Sequence, residues 1–244
     1  MSNFDQTLVL IKPDALKNSL TGYIFSTLSE FHTGLRFAGA KIVHVTSMLA
    51  EEHYSEHHGK PFFPSLIEYV TGQIHFKNEP ENQRVIAIVY MGRNAVKKVR
   101  EISGPTNPEK AREEKPGCIR ALGTVHLIKN EKGEITGDRM DNLIHASASD
   151  EEAEREIKMW FKPNDIPPSM HAYETRQSEQ HFYYKNGKLS ENYLPQSVCI
   201  LAPGDIAWKS DLEGLQKIAN NQPSSITLQA IIAKYLVNEN RNEM

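Results

Sequence analysis

Cysteine is scarce: the 244-residue chain holds two, Cys118 and Cys199. Two cysteines cannot form the disulfide framework of a small secreted domain, and a reducing cytoplasmic setting is expected. Long apolar runs are also missing. Val85-Ile86-Ala87-Ile88-Val89-Tyr90-Met91 falls far short of the roughly 20 residues that a spanning helix needs. The N-terminus lacks a basic segment followed by an apolar region, so no secretion signal is expected. Neither sign of charge dominates: 28 Lys and Arg stand against 31 Asp and Glu, a net charge of −3. That balance argues against a general binder of nucleic acid or membrane surfaces, while leaving room for a local basic pocket. No internal repeat and no dinucleotide fingerprint appear. The stretch from Gly34 to Lys41 fails as a phosphate loop, because Ala40 stands where its second glycine belongs and Ile42 replaces Ser or Thr.

The length suffices for one large domain, or one domain with an appendage. Thr7 to Ile11 reads as a buried strand that Pro13 stops, presenting Lys12 at its terminus. Gly22 to Phe31 reads as a helix with Ile24, Phe25, Leu28 and Phe31 on one stripe. Lys41 to Met48 alternates like a strand, and Glu51 to His58 and Phe62 to Val70 read as short helices. Val85 to Tyr90 is a second buried strand, and Asn94 to Ile102 a helix halted by Ser103-Gly104-Pro105. Thr106 to Arg120 reads as a long polar loop. Val125 to Ile128 and Ile135 flank Asn130-Glu131-Lys132-Gly133, which suggests a hairpin. Interspersed strands and helices with hairpin pairing predict an α+β fold rather than a doubly wound parallel sheet. Composition shifts near Asp165-Ile166-Pro167-Pro168-Ser169, which suggests a main domain over 1–169 and an extension over 170–244. In the extension Val198 to Leu201 reads as a strand, and Ser210 to Asn220 and Thr227 to Val237 as helices. The last carries Leu228, Ile231, Ile232, Tyr235 and Leu236 on one face. That face needs cover from the main domain or a neighbouring subunit, and Asn238 to Met244 is expected to fray.

Chemistry concentrates around Asn142-Leu143-Ile144-His145-Ala146-Ser147. Small residues leave room around the imidazole. Ser149 and Glu152 form a capping box before an amphipathic helix that includes Glu156, Ile157, Trp160 and Phe161. His145 is therefore expected at a loop edge beside a helix N-terminus, where partial positive charge favours anions. A neutral imidazole there is a competent nucleophile toward phosphorus. Arg100, Thr106 and Arg120 add donors suited to the oxygens of a polyphosphate. His53-Tyr54-Ser55-Glu56-His57 matches the zinc-protease string H-x-x-E-H. It reads instead as an exposed polar helix with chance histidines, and a zinc hydrolase is a remote alternative.

Taken in order, TLVLIKPDALK, HYSEHHGKPFFPSLIEYVTG, VREISGPTNP, KPGCIR and NLIHASAS followed by EREIKMWF resemble the nucleoside diphosphate kinase family over roughly residues 5 to 165. The resemblance implies a ferredoxin-like βαββαβ sandwich, here with hairpin or loop insertions and a C-terminal extension. It implies a ping-pong transfer of the terminal phosphate of ATP to nucleoside diphosphates. His145 would carry the phosphate, and Glu156 would orient its ring. Lys12 would sit near the transferring phosphate and the sugar hydroxyl, and Asn142 on the ribose. Arg100, Thr106 and Arg120 would bind phosphates, Phe62 would stack on the base, and Tyr54 would lie near the phosphates. Mg²⁺ would arrive with the nucleotide rather than in a dedicated protein cage. A homo-oligomer is implied, a tetramer or hexamer built from dimers, with no membrane or specific nucleic-acid partner. The chain departs from the family's common form by extra residues at 74–83 and 125–139, an expanded 109–114, the extension, and Ala148 where relatives carry an acid. That last change bears on metal affinity. A nucleotide-sensing or interaction protein that kept the pocket and lost turnover is the alternative from another functional class.

Overall fold

The computed structural model describes residues 4–129 and 132–235. Its central strand, β1 (Phe4–Ile11), contains Leu8, Val9, Leu10 and Ile11, all fully buried. Consecutive buried residues mark a strand covered on both faces. β2 (Arg36–Val43) and β3 (Val85–Arg93) join it in one antiparallel sheet, with the short β6 (Ile144–Ala146) beside β1. The order β2-β3-β1-β6 is that of a ferredoxin-like α+β fold. Between β3 and β6 lies a separate antiparallel hairpin, β4 (Thr124–Lys129) and β5 (Ile135–Asp141). Its tip, Asn130 and Glu131, lies outside the described residues.

The helices of this part are α1 (Pro13–Lys17), α2 (Thr21–Thr27), α3 (Glu30–Thr33), α4 (Ser47–His53), α5 (Phe63–Val70), α6 (Ala95–Ser103), α7 (Pro108–Glu114) and α8 (Asp150–Trp160). Val9, Ile11, Ile88 and Tyr90 share one core cluster with Ile24 and Leu28 near α2 and Val99 of α6. Full burial of such side chains contributes about 1.5–3 kcal/mol each.

Several expectations need correction. The helix expected over Gly22 to Phe31 breaks after α2, because Ser29 Oγ accepts from His32 N and starts α3. Phe31 is consequently wholly exposed. The strand expected from Lys41 begins earlier, at Arg36, and ends at Val43. Gly34, at φ 66°, turns the chain into β2, and Thr46 Oγ1 accepts from Leu49 N at 3.2 Å to cap α4. Nor is Thr106 to Arg120 all loop. Asn107 Oδ1 accepts from Glu109 N at 2.8 Å and Lys110 N at 3.3 Å, and Pro108 occupies the first turn of α7, where its missing N–H costs nothing.

The chain forms two compact units, 1–157 and 158–244, which divide within α8. In the second, β7 (Thr175–Gln177) pairs with β11 (Ile206–Trp208), while β8 (Phe182–Lys185) lies between β9 (Lys188–Ser190) and β10 (Val198–Leu201). The β8–β9 turn is Asn186-Gly187, both at positive φ, the pattern of a tight hairpin. Two helices follow, α9 (Lys209–Ala219) and α10 (Leu228–Tyr235). Buried Lys234 is paired with Asp211, which also accepts from Tyr235 OH at 3.0 Å. Ile231, Ile232 and Tyr235 are buried. Leu236 and 238–244 lie outside the described residues.

Candidate active site

Pro13 at the first turn of α1 ends β1 and leaves Lys12 as the residue between them. Lys12 is almost wholly buried. Its Nζ donates to Asn142 Oδ1 and lies 4.4 Å above the centre of the Tyr69 ring. Burial lowers its pKa to about 8, against the opposing charge of Asp14 and with the help of Arg120. Asn142 is fixed at three atoms. Its side-chain Nδ2 donates to Thr106 O at 2.9 Å, its backbone N to Tyr69 OH at 3.2 Å, and its Oδ1 takes Lys12.

The next residue, Leu143, has φ 69°. Ile144 N donates back to Asn142 O at 2.8 Å, and Leu143 N to Asp14 Oδ2 at 2.8 Å. A three-residue turn with positive φ at leucine is strained. Here it is held by a buried carboxylate and a buried side chain. The turn delivers His145 onto β6, opposite Leu10 of β1. His145 is thus a strand residue, not a loop-edge one, because pairing with β1 extends the sheet this far. α8 begins later, at Asp150. Ser149 Oγ accepts from Glu152 N at 3.2 Å, and Glu152 reaches back to Ala148 N at 3.0 Å.

His145 Nε2 lies 2.9 Å from Glu156 Oε1 and 3.0 Å from Oε2. Ser147 Oγ donates to Glu156 Oε2 at 2.6 Å and accepts from Leu8 N at 3.1 Å. Burial by itself would raise the Glu156 pKa. The charge and hydrogen bond of His145, then His53 and Ser147, bring it down to about 2. An ionised carboxylate on Nε2 fixes the tautomer that leaves the Nδ1 lone pair available. His53 packs edge-on against His145, ring centres 4.5 Å apart. Burial, then His145, lowers its pKa well below the usual histidine value. The expectation that His53 to His57 is an exposed helix is incorrect. α4 ends at His53, a single 3₁₀ turn carries Ser55–His57, and His53 is buried. His53, His145 and Glu156 bring three potential metal-ligand atoms within 4.8 Å among the described residues. Glu156 is already engaged by His145 and Ser147, which suits ring orientation.

Arg120 stands in the 3₁₀ turn Ile119–Leu122 and is buried. Its Nη1 donates to Gly104 O at 3.0 Å and its Nη2 to Ile144 O at 3.2 Å. The buried Nε has no hydrogen-bond partner among the described residues, and an orphaned cationic donor suits an anion. Burial, then Arg100, lowers its pKa to about 10. Arg100 and Thr106 are exposed at the same mouth. A cavity of about 410 Å³ is lined by Lys12, Tyr54, Phe62, Arg100, Thr106, Arg120, Asn142, His145 and Glu156. Every residue singled out in the sequence therefore meets there. Sequence reasoning passed over Asp14, Tyr69 and Asp141, which hold these groups in place, and read Ser147 only as a small residue leaving room, not as a donor to Glu156. Their visible signal was position alone, each being inside or beside a matching motif.

A sequence profile described as "Nucleoside diphosphate kinase" matches residues 5–166. The chain belongs to the nucleoside diphosphate kinase family. It is 35% identical over 196 residues to the nucleoside diphosphate kinase of Thermococcus kodakarensis, covering 80% of this chain and 95% of that one. To the Pyrococcus furiosus protein of the same name it is 41% identical over 166 residues, covering 68% and 88%. The nucleoside diphosphate kinase of Borrelia burgdorferi, solved as a transition-state mimic with bound vanadate and ADP, superposes with a TM-score of 0.53. Its sequence identity is 31%, over 69% of this chain and 94% of that one. Membership makes the chain a phosphotransferase of nucleotide metabolism. Among the described residues no helix is long and apolar enough to cross a membrane.

Proposed function

We propose that the chain moves the terminal phosphate of ATP to nucleoside diphosphates through phosphorylated His145. The observation that carries this is the His145–Glu156 pair at 2.9 Å, set in a cavity lined with cationic groups. Nδ1 attacks the terminal phosphorus in line. A P–N bond forms as the bond to the bridging oxygen breaks, and the diphosphate leaves with that electron pair. Glu156 stabilises the positive ring that results. Lys12, Arg120, Arg100 and Thr106 bind the phosphate oxygens as charge shifts onto the leaving group. A second diphosphate then attacks phosphohistidine in the reverse sense. Asn142, with Lys12, holds the ribose hydroxyls, Phe62 offers a flat face to any base, and Tyr54 borders the phosphates. Turnover, rather than mere sensing, is favoured because nucleophile, orienting acid and cations occupy one cavity.

Glu56 and Glu152 border the same cavity, and Glu152 is tied to Ala148 N. These oxygens fit a hydrated Mg²⁺ held chiefly by the nucleotide's own phosphates. Bound there, the ion would neutralise phosphate charge. The reading extends to a cytoplasmic homo-oligomer, a dimer-based tetramer or hexamer, with no membrane partner. Incubation with γ-labelled ATP should place acid-labile, base-stable label on the protein, and His145→Ala should abolish it. Full labelling of that variant would overturn the assignment.

A further inference from the structure

The segment 74–83, extra to the family's common form, brings one histidine behind the sugar end of the site. His75 Nε2 donates to Asp141 Oδ2 at 2.8 Å, and the His75 ring packs on Tyr69 with ring centres 5.4 Å apart. The Nδ1 of His75 is buried and has no hydrogen-bond partner among the described residues, so the ring's hydrogen bonding goes to Asp141. Two further groups reach that carboxylate, both from the β4–β5 hairpin. His126 Nε2 lies 3.1 Å from Oδ2. Arg139 Nε donates to Oδ1 at 2.9 Å, and its Nη2 to Oδ2 at 3.4 Å. Burial would raise the Asp141 pKa, but the bonds from His75 and Arg139 bring it down to about 2, so it stays ionised. His75 is the most shielded of the three partners. Its side chain is 10% exposed, against 25% for Arg139 and 44% for His126. A bond to a charged group gains strength as water is excluded, so His75 is the partner whose loss matters most.

Asp141 immediately precedes Asn142, whose backbone N donates to Tyr69 OH at 3.2 Å. His75, Asp141, Asn142 and Tyr69 therefore close a ring of contacts. On the far side of Asn142, Leu143 N is tied to Asp14. Lys12 sits on this ring as well, donating to Asn142 Oδ1 and lying above the face of Tyr69. His75 does not line the cavity, so it acts only through its neighbours. We propose that His75 is a positioning residue: by fixing Asp141 it sets Asn142, with Lys12, to meet the ribose hydroxyls. This rests on the nucleotide reading above. Without His75, Asp141 is left to its partners on the hairpin, Arg139 and His126, and the backbone of Asn142 follows it. Two groups that must meet a sugar hydroxyl tolerate little displacement, and misplacement of a positioning group costs rate steeply. The insertion thus braces the site from behind and adds no contact with the nucleotide.

The test measures single-turnover phosphorylation of the full chain by ATP and by 3′-deoxy-ATP in magnesium buffer. Wild type is compared with His75→Phe, which keeps a ring on Tyr69 and loses the donor, and with His75→Gln, whose amide still donates at the same reach. His75→Phe should lower the second-order rate with ATP roughly tenfold and leave the rate with 3′-deoxy-ATP almost unchanged. The preference for the natural sugar then shrinks by the same factor. His75→Gln should recover most of that preference. A role in packing alone would slow both nucleotides alike. Where His75→Phe does not fold, His75→Asn, whose donor stops short of Asp141, takes its place. An unchanged preference in the donor-free variant, equal loss with both nucleotides, or no recovery by glutamine would each overturn the proposal and leave the kinase reading intact. A wild-type protein that uses both nucleotides equally would overturn the sugar role given to Lys12 and Asn142, and this proposal with it. One that forms no phosphohistidine from either would overturn the kinase reading itself.

Discussion

Burial and charge oppose each other at Lys12. Its surroundings lower the pKa to about 8, so the ammonium is fully present below that pH and is lost as pH rises through it. A neutral amine keeps a hydrogen bond to Asn142 but no longer attracts phosphate. The kcat/KM profile, which reports the free enzyme, should therefore fall on its alkaline side from near pH 8. Lys12→Gln should lower kcat/KM at neutral pH by about 2 kcal/mol, roughly thirtyfold, and abolish that limb. A limb that persists unchanged in the variant would assign it to another group. At this scale the site was legible. Lysine before proline, histidine with asparagine three residues before, and glutamate eleven residues after are local patterns. His53 was not legible, because its burial against His145 depends on where α4 ends, and a polar neighbourhood in sequence hides that.

Elements were legible in proportion to how much local side-chain chemistry set them. The buried strands β1 and β3 show as continuous apolar runs. The edge strand β2, half exposed along its length, lacks such a run, and its start depends on one left-handed glycine. β7, β8, β9 and β11 are three or four residues each, too short for a period-2 signal, whereas β10 showed as the short apolar run Val198 to Leu201. The stretch Ser103-Gly104-Pro105 was readable as a stop, but its second role was not. Gly104 has φ 81° and ψ −175°, a region almost closed to other residues. A Cβ there would lie 2.2 Å from Cys118 Sγ. Its carbonyl accepts from Arg120. Gly104→Ala should therefore destabilise the fold by about 1–3 kcal/mol and raise KM for nucleotides by displacing Arg120. Adding Cys118→Ala removes the nearest clashing atom and should recover part of the loss. Thermal midpoints and KM for the two variants check this. A Gly104→Ala protein with wild-type values for both would show that the turn tolerates a side chain.

For the whole molecule, the residues proposed to relay phosphate run from Lys12 to Glu156, all in the unit that ends at 157. The unit that follows has its own internal ties. Trp208 Nε1 donates to Phe161 O at 2.7 Å, with both residues fully buried, and Lys234 donates to Lys158 O. We propose that 170–244 serves stability or assembly rather than chemistry, with 1–169 as the catalytic domain. Truncation after Ser169 would leave the carbonyls of Lys158 and Phe161 without these donors, at about 1–3 kcal/mol for each group that stays buried. A chain of this size loses about 2–4 °C in thermal midpoint per kcal/mol. The truncated protein should therefore melt several degrees lower, or shift its oligomer distribution in sedimentation. Wherever it stays folded, phosphohistidine formed per site from labelled ATP should match the full chain. A truncated protein that keeps its melting point and assembly, and yet leaves His145 unlabelled, would show that residues beyond 169 complete the active site and that the division of labour drawn here is wrong.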